Sequence, residues 1–419
     1  MAETTKFSGI SLSQWRQFKD VQIDLHARMT ILTGRNGTGK TTVLNLLAKH
    51  GKFSSPLLGS PIQARDSLGR YLPGRWDNNI PLSASIGSIR YRNGVSAEIA
   101  IPESGAVGFE PIITNRQVVH VLNIGSHRKL PKYKPVEKIP TRPVTGKIAL
   151  DEYQNEFWAD ISRIPPLTRM KESLISMAVF GLGNSIVASN SESFDIFEDF
   201  QSRLKQIIPS NIGFRRLVVQ VPDVIIQSDS GNFLIDASSG GLMSIIDMAW
   251  EVTLFARQHP ECVIIIDEPE NHLHPSMQRE LLPALVSAFP EAQFIIATHS
   301  PFMVNSVRDA AVYAFDIERD QQKAAIAEDL SGMVNSVITV PVPMADRTSS
   351  DEIMRKVLGV PVTAPIWAEQ ALNRIVAQIG QAGMTAETIR SVREQLVALG
   401  LEEFLPQAIS DAAVKNAPN

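Results

Sequence analysis

Gly34-Arg35-Asn36-Gly37-Thr38-Gly39-Lys40-Thr41 stands between a short β-rich run, Arg28 to Thr33 (RMTILT), and the helical pattern TVLNLLAKH from Thr42 to His50. This is G-x-x-x-x-G-K-[ST] in the strand, loop and helix setting that the motif requires. Glycines let the backbone curl so that successive N–H groups point inward at phosphate oxygens, and the helix N-terminus adds its positive dipole end. In such a loop Lys40 reaches the β- and γ-phosphates and Thr41 holds Mg²⁺ through its hydroxyl. A Gly-rich turn that merely precedes a helix is the plainer reading, and the flanking strand and helix argue against it. Residues 34–42 are therefore expected to bind a nucleotide, with Thr42 completing the first turn.

Outward from this loop, Val263-Ile264-Ile265-Ile266 runs straight into Asp267-Glu268. Four consecutive β-branched residues read as a strand buried on both faces of a parallel sheet. Asp267 at its end is placed to join a Mg²⁺ shell, as a Walker B aspartate does. Glu268, its neighbour, can orient or deprotonate an attacking water. Phe294-Ile295-Ile296-Ala297 is a further buried strand and ends in Thr298-His299-Ser300-Pro301. Upstream, Ser238-Ser239-Gly240-Gly241 opens an apolar helix from Leu242 to Phe255, a second anion-binding surface by the same physics or a plain helix cap.

Composition bounds the remainder. A length of 419 residues gives a prior of two to three domains and room for a sizeable core. Forty basic against 44 acidic residues, net −4, exclude a protein basic all over, although a local basic face could still meet nucleic acid. One cysteine, Cys262, excludes a disulfide framework and a Cys-based zinc site and suits a reducing cytoplasm. The start MAETTKFSGI has no apolar signal core, and no run approaches a membrane span. The expectation is a soluble cytoplasmic protein that does not engage a membrane.

On these ordered motifs the chain resembles the ABC-type ATPases, and within them the RecF, SMC and OLD-like branch. Ile10-Ser11-Leu12-Ser13-Gln14-Trp15-Arg16-Gln17-Phe18 is similar to that branch's N-terminal strand pair. Asp267-Glu268-Pro269-Glu270-Asn271-His272-Leu273-His274-Pro275 resembles its Walker B and D-loop, and Thr298-His299-Ser300-Pro301 its switch histidine. The resemblance implies an α/β fold: a P-loop head with a mostly parallel sheet, an antiparallel β subdomain and an insert, plus a C-terminal helical segment. It implies ATP and Mg²⁺ as cofactors, with Glu268 and His299 catalytic and Thr41 and Asp267 on the metal. It also implies head-to-tail pairing of two copies, Ser239, Gly240 and Gly241 of one touching the γ-phosphate held by Lys40 of the other. Two departures from the pattern occur: Ser238 and Leu242 replace the usual residues flanking Ser-Gly-Gly, and His274 replaces the D-loop aspartate of transporters. Asn271, His272 and His274 are assigned to the D-loop. His272 and His274 also read as an H-x-H metal pair, but no third ligand is in view. No Q-loop glutamine stands out, Gln63 being a weak candidate.

Between Lys40 and Ser239 no sustained heptad pattern occurs, so no coiled-coil arm is expected. Four regions follow: an ATPase lobe over 1–60, a β-rich and helical insert over 61–215, a second lobe over 216–345, and a helical segment over 346–419 for oligomer or partner contact. Residues 84–124 alternate like strands with a hairpin signal at Asn93-Gly94. Arg128, Lys129, Lys132, Lys134, Lys138, Arg142 and Lys147 follow, opposed by Glu137 and interleaved with prolines. Such a segment is expected to be an extended surface strip, either a nucleic-acid or partner contact or a loop packed on its own subunit. Ser126-His127-Arg128 resembles a motif of OLD-like and defence ATPases. Residues 194–208 read as an amphipathic helix, 216–235 as a β-hairpin, Ala310 to Phe315 as a strand and Asp316 to Asp320 as its terminal turn. In the tail, Leu372, Ile375, Val376 and Ile379 form one apolar stripe. Thr385 caps a second helix, striped by Ile389, Val392, Leu396 and Leu399.

A head with these motifs, without a coiled-coil arm and without an evident Toprim acidic set, resembles the ATPase subunits of bacterial anti-phage systems, the PtuA family of Septu first and the AriA family of PARIS next. That resemblance implies an ATPase, possessing no nuclease site of its own, that scaffolds and controls a separately encoded nuclease of HNH type. A RecF-like repair ATPase that binds DNA directly is the alternative.

Overall fold

The computed structural model describes residues 4–61, 71–72, 85–102, 107–129, 132–140, 144–159, 164–183, 185–319, 335–347, 349–360, 367–368, 370–371, 374–375, 385–405 and 409. In chain order, β1 (Phe7–Trp15), β2 (Phe18–Asp24), β3 (Met29–Gly34) and α1 (Lys40–Ala48) come first. Short strands β4 (Leu57–Leu58), β5 (Ser60–Pro61) and β6 (Tyr71–Leu72) lead to β7 (Ser85–Tyr91), β8 (Ser96–Ala100), β9 (Gly108–Phe109), β10 (Ile112–Thr114) and β11 (Val121–Ile124). Three helices follow, α2 (Gly146–Trp158), α3 (Pro166–Gly181) and α4 (Ser191–Ile207), then strands β12 (Phe214–Gln220), β13 (Asp223–Ser228) and β14 (Gly231–Leu234). The last part of this unit holds α5 (Gly240–Gln258), β15 (Val263–Asp267), α6 (Pro275–Ala288), β16 (Gln293–Ala297), α7 (Pro301–Val304), β17 (Ala311–Arg319) and β18 (Asn335–Pro341).

Eleven strands form one sheet in the order β10-β8-β7-β1-β2-β18-β17-β3-β16-β15-β11. From β17 to β11 every pairing is parallel, and from β10 to β2 every pairing is antiparallel. This is an α/β fold whose sheet has a parallel half and an antiparallel half. The burial patterns explain the division. β3, β15 and β16 are buried at every residue, so both faces are covered, as parallel strands require. β2 alternates buried and exposed positions, which suits an antiparallel sheet with one face in water. Strand order places β3 between β16 and β17, so the glycine loop leaves the sheet at its parallel centre.

Helix α5 is buried from Gly241 through Leu254. Trp250 is fully shielded and meets Phe200 of α4 edge-on at 4.9 Å. Truncating such a tryptophan costs about 3–5 kcal/mol. α4 has the apolar face expected of an amphipathic helix, with Ile196, Phe197, Phe200 and Leu204 buried.

The structure corrects several expectations. The hairpin over 216–235 is a three-stranded meander, because β14 adds to β13. Residues Asp316 to Arg319 are not a strand-end turn: β17 continues through Arg319 because β18 pairs with it antiparallel. Lys147 lies on α2 rather than on an extended strip, Thr145 capping that helix two residues earlier. Gln63, Pro131, Arg142, Asp320, Leu372, Val376 and Ile379 lie outside the described residues.

Two compact units divide the chain, Met1–Ile353 and Met354–Asn419. In the second, Thr385 caps a helix over Ala386–Ala398 by accepting from the Thr388 N–H. Its Val392 and Leu396 are buried with Ile375 and Leu401, whereas Leu399 is exposed and leaves the stripe.

Candidate functional site

Gly34, Gly37 and Gly39 hold φ values of 127°, 77° and 93°, a region that side chains disfavour. A Cβ at Gly34 would collide with the Phe315 carbonyl, and one at Gly39 with the Phe18 ring. The glycines are thus dictated both by the turn and by close neighbours from β17 and β2. Lys40 opens α1 and donates through Nζ to the carbonyls of Gly34, at 3.0 Å, and Arg35, at 2.9 Å. Burial lowers its pKa to about 8, opposed by the charges of Asp267, Glu268 and Glu270. Thr38 closes the loop by donating to the Arg35 carbonyl at 2.9 Å, while Arg35, Asn36 and Gly37 are exposed.

β15 delivers Asp267 to the start of α1, where its Oδ2 accepts from Thr41 Oγ1 at 2.8 Å. Burial raises the Asp267 pKa, and the Thr41 hydrogen bond opposes the shift. Glu268 has φ +48° and its N–H is tied to the Ala297 carbonyl of β16 at 2.8 Å. Asn271 Nδ2 donates to Glu268 Oε2 at 3.1 Å and to the Ser126 carbonyl at 3.0 Å, fixing the carboxylate from below. His299 Nε2 lies 3.8 Å from Glu268 Oε1. Burial and the Lys40 charge lower the His299 pKa, so the neutral ring faces Glu268 without an ion pair. The His299 backbone N–H donates to Glu270 Oε1 at 2.6 Å.

The serine-glycine turn lies beside this cluster. Ser239 is exposed and caps α5, its Oγ accepting from the Leu242 N–H at 3.3 Å. Gly241 packs so closely on the His272 carbonyl that a Cβ would sit 2.7 Å from it. Ser239 and His272 are therefore exposed on one shoulder, joined beneath by the buried Gly241. His272 has φ +69°, and His274 turns away to cap α6 through Ser276. Among the described residues no group of three His, Cys, Asp or Glu could hold a metal ion.

Two residues of the quoted motifs take roles that the sequence does not signal. Gln17, between β1 and β2, donates to the Gly37 carbonyl at 2.7 Å and so braces the phosphate loop from the antiparallel lobe. Nothing in its spacing could have signalled this. Arg128 was placed on a surface strip, but Nη1 donates to the Glu268 carbonyl at 3.3 Å and Nη2 reaches Met248 Sδ at 3.5 Å. The inward turn follows from β11 pairing parallel with β15, which brings its C-terminal end beside Asp267-Glu268. Lys129, Lys132, Lys138 and Lys147 remain exposed, while Lys134 presents its backbone to the buried Lys171.

Fold and site together resemble the nucleotide-binding head of an ATPase: a glycine loop and a strand-end Asp-Glu meet at one end of a parallel sheet. A profile described as "AAA domain, putative AbiEii toxin, Type IV TA system" matches residues 249–305, and one described as "AAA domain" matches residues 10–48. "Septu protein PtuA" of Bacillus mycoides (strain KBAB4) is 24% identical over 334 residues, 77% of this chain and 42% of that one. "Retron Ec83 probable ATPase" of Escherichia coli is 22% identical over 413 residues, 79% of this chain and 74% of that one. The chain thus spans less than half of the Bacillus relative's length. A solved SMC head bound to the C-winged helix domain of ScpA aligns with 81% of the chain and 99% of its own, at 15% identity and a TM-score of 0.41. No helix among the described residues is long and apolar enough to cross a membrane.

Proposed function

We propose that this chain binds and hydrolyses ATP as the switch subunit of a bacterial anti-phage defence complex, pairing head to tail when ATP is bound and thereby controlling a separately encoded nuclease, of HNH type. The observation that carries the ATPase reading is the convergence of Lys40, Thr41, Asp267, Glu268 and His299 on one end of the parallel sheet. The residues fit a magnesium nucleotide. Glycine backbone shapes the cradle, Lys40 is a buried cation whose present acceptors are loop carbonyls, and the Thr41 hydroxyl and Asp267 carboxylate already face each other. Magnesium held here would supply charge neutralisation at the phosphates. Thr41 and Asp267 would hold it. Glu268, steadied by Asn271, would orient the attacking water as base, and the neutral His299 would donate to the γ-phosphate.

Pairing is supported by the exposed Ser239 and His272, where the N-terminus of α5 adjoins the D-loop. Such a terminus is suited to an anion presented by a second copy. The defence assignment rests on the similarity to the Septu and retron ATPases. Direct nucleic-acid contact through residues 128–147 loses its first cation, since Arg128 turns to Glu268. The test is affinity purification of the tagged chain from its native host. A stoichiometric nuclease supports the reading, whereas recovery with DNA and repair factors favours a RecF-like one.

A further inference from the structure

Away from the phosphate loop, a half-open cavity of about 540 Å³ lies between the segment from Arg128, helix α2, the start of α3 and the first turn of α5. Its walls are apolar, with Phe157, Pro166, Leu167 and Met243 prominent. Lys129 and Lys132 are exposed and stand at its rim, Lys129 steadied by the Glu156 carbonyl. Arg128 and the buried Asp247 also line it.

Arg128 is the unusual element. Among the described residues its Nε is shut off from solvent and meets no acceptor, while Nη1 and Nη2 hold only the Glu268 carbonyl and the Met248 sulfur. A half-buried guanidinium short of acceptors is costly unless an anion completes it. Asp247, Glu251 and Glu270 supply countercharge from nearby without a hydrogen bond to it among the described residues, and burial pushes the Asp247 pKa up to about 7 and that of Glu251 to about 8, against the pull of Arg128. Three cations around apolar walls, with one donor unmet, describe a small-molecule site more closely than a flat macromolecular face.

We propose that this cavity binds a small amphipathic anion, its acidic head on Arg128 and its apolar body against Phe157, Leu167 and Met243, and that its occupancy sets hydrolysis through the Arg128–Glu268 contact. The binding half stands by itself, and the coupling half rests on the role of Glu268 proposed above.

The probe is 8-anilinonaphthalene-1-sulfonate, an aromatic body with one fixed negative charge. It is titrated calorimetrically into the full chain with the nucleotide site filled by a non-hydrolysable ATP analogue. One site per chain is expected, weakened tenfold or more by Arg128→Gln and by Met243→Trp, which fills the cavity. Lys40→Ala should leave the probe's affinity as it is, even where ATP binding is lost, so failure of the nucleotide reading is separable. Saturating probe should change ATP turnover at least threefold in the wild type and not in Met243→Trp. Several weak sites, or affinity that survives both cavity variants, overturns the binding site. Turnover insensitive to a probe that does bind overturns the coupling. Leu167→Trp replaces Arg128→Gln if the latter does not fold.

Discussion

Thr41 Oγ1 donates to Asp267 Oδ2 across 2.8 Å, joining the first turn of α1 to the end of β15 across most of the unit's sequence. The two residues meet because β3 and β15 both pair with β16 in parallel, so their C-terminal ends share one edge of the sheet. In open α/β sheets ligands bind at that edge.

Lys40→Ala should abolish most nucleotide affinity. Removing one charged partner from a desolvated phosphate contact costs about 2–5 kcal/mol, or roughly 30-fold or more in Kd. Titration with a fluorescent ATP analogue measures it, and unchanged affinity would rule out the phosphate-loop assignment. Folding should be little affected, since the lysine's present acceptors are carbonyls of its own loop.

Glu268→Gln should keep ATP binding and lose turnover by about 100-fold to 10,000-fold, the range for a general base. Paired chains should accumulate, visible by light scattering in the presence of ATP. Asn271 can still approach the new amide oxygen, so the turn over 268–271 should persist. Equal turnover in the variant would remove Glu268 from the chemistry.

Gln17→Ala tests a brace contributed by the turn between β1 and β2. Losing one neutral hydrogen bond to the Gly37 carbonyl corresponds to about 0.5–1.5 kcal/mol, hence a roughly twofold to twelvefold weaker ATP affinity. Thermal stability should stay close to the wild type, because the glutamine side chain braces an exposed loop. A variant that binds ATP normally would make this contact incidental.

Lys171→Met tests the buried knot behind the meander. Lys171 is 0% exposed and bonds to Asp236 at 2.8 Å, to Asp223 at 3.4 Å and to the Lys134 carbonyl at 2.7 Å. Breaking a buried pair from one side costs about 3–5 kcal/mol, because Asp236 is left without its countercharge. Denaturant unfolding should show the loss, and a Lys171→Met, Asp236→Leu double variant should recover part of it. No recovery would mean that the carboxylate was not the stranded group.

Glu251→Gln addresses pH. Burial raises the Glu251 pKa to about 8 from an ordinary 4.5, with the neighbouring Asp247 adding to the rise and Gln154 opposing it. The native chain therefore holds a proton that the unfolded chain releases, and stability declines as pH climbs from about 4.5 to about 8. The glutamine variant carries no such proton. It should match the wild type near pH 5 and melt a few degrees higher near pH 8.5, as scanning calorimetry would show. Parallel melting curves across that range would count against a protonated Glu251.

Much of this was legible because the chemistry is local. The loop from Gly34 to Thr41 needs positive φ at fixed positions, and only glycine supplies it without strain, so the motif appears in the letters. Doubly buried strands write themselves as unbroken β-branched runs, as in Val263 to Ile266. Thr385 and Ser239 announce their helices because a cap is satisfied within three residues.

What tertiary structure alone decided depends on contacts distant in sequence. Gln17 braces Gly37 only because β2 and β3 belong to one sheet, and no periodicity encodes that approach. β17 runs on through Arg319 because β18 arrives to pair with it, so its length was set by a partner rather than by its own residues. Arg128 reads as one of a basic series, yet β11 pairing beside β15 draws it to the Glu268 carbonyl. Sequence determined the elements whose hydrogen bonds close locally. The fold determined which side chains met across the sheet, since burial and register are properties of the assembled chain.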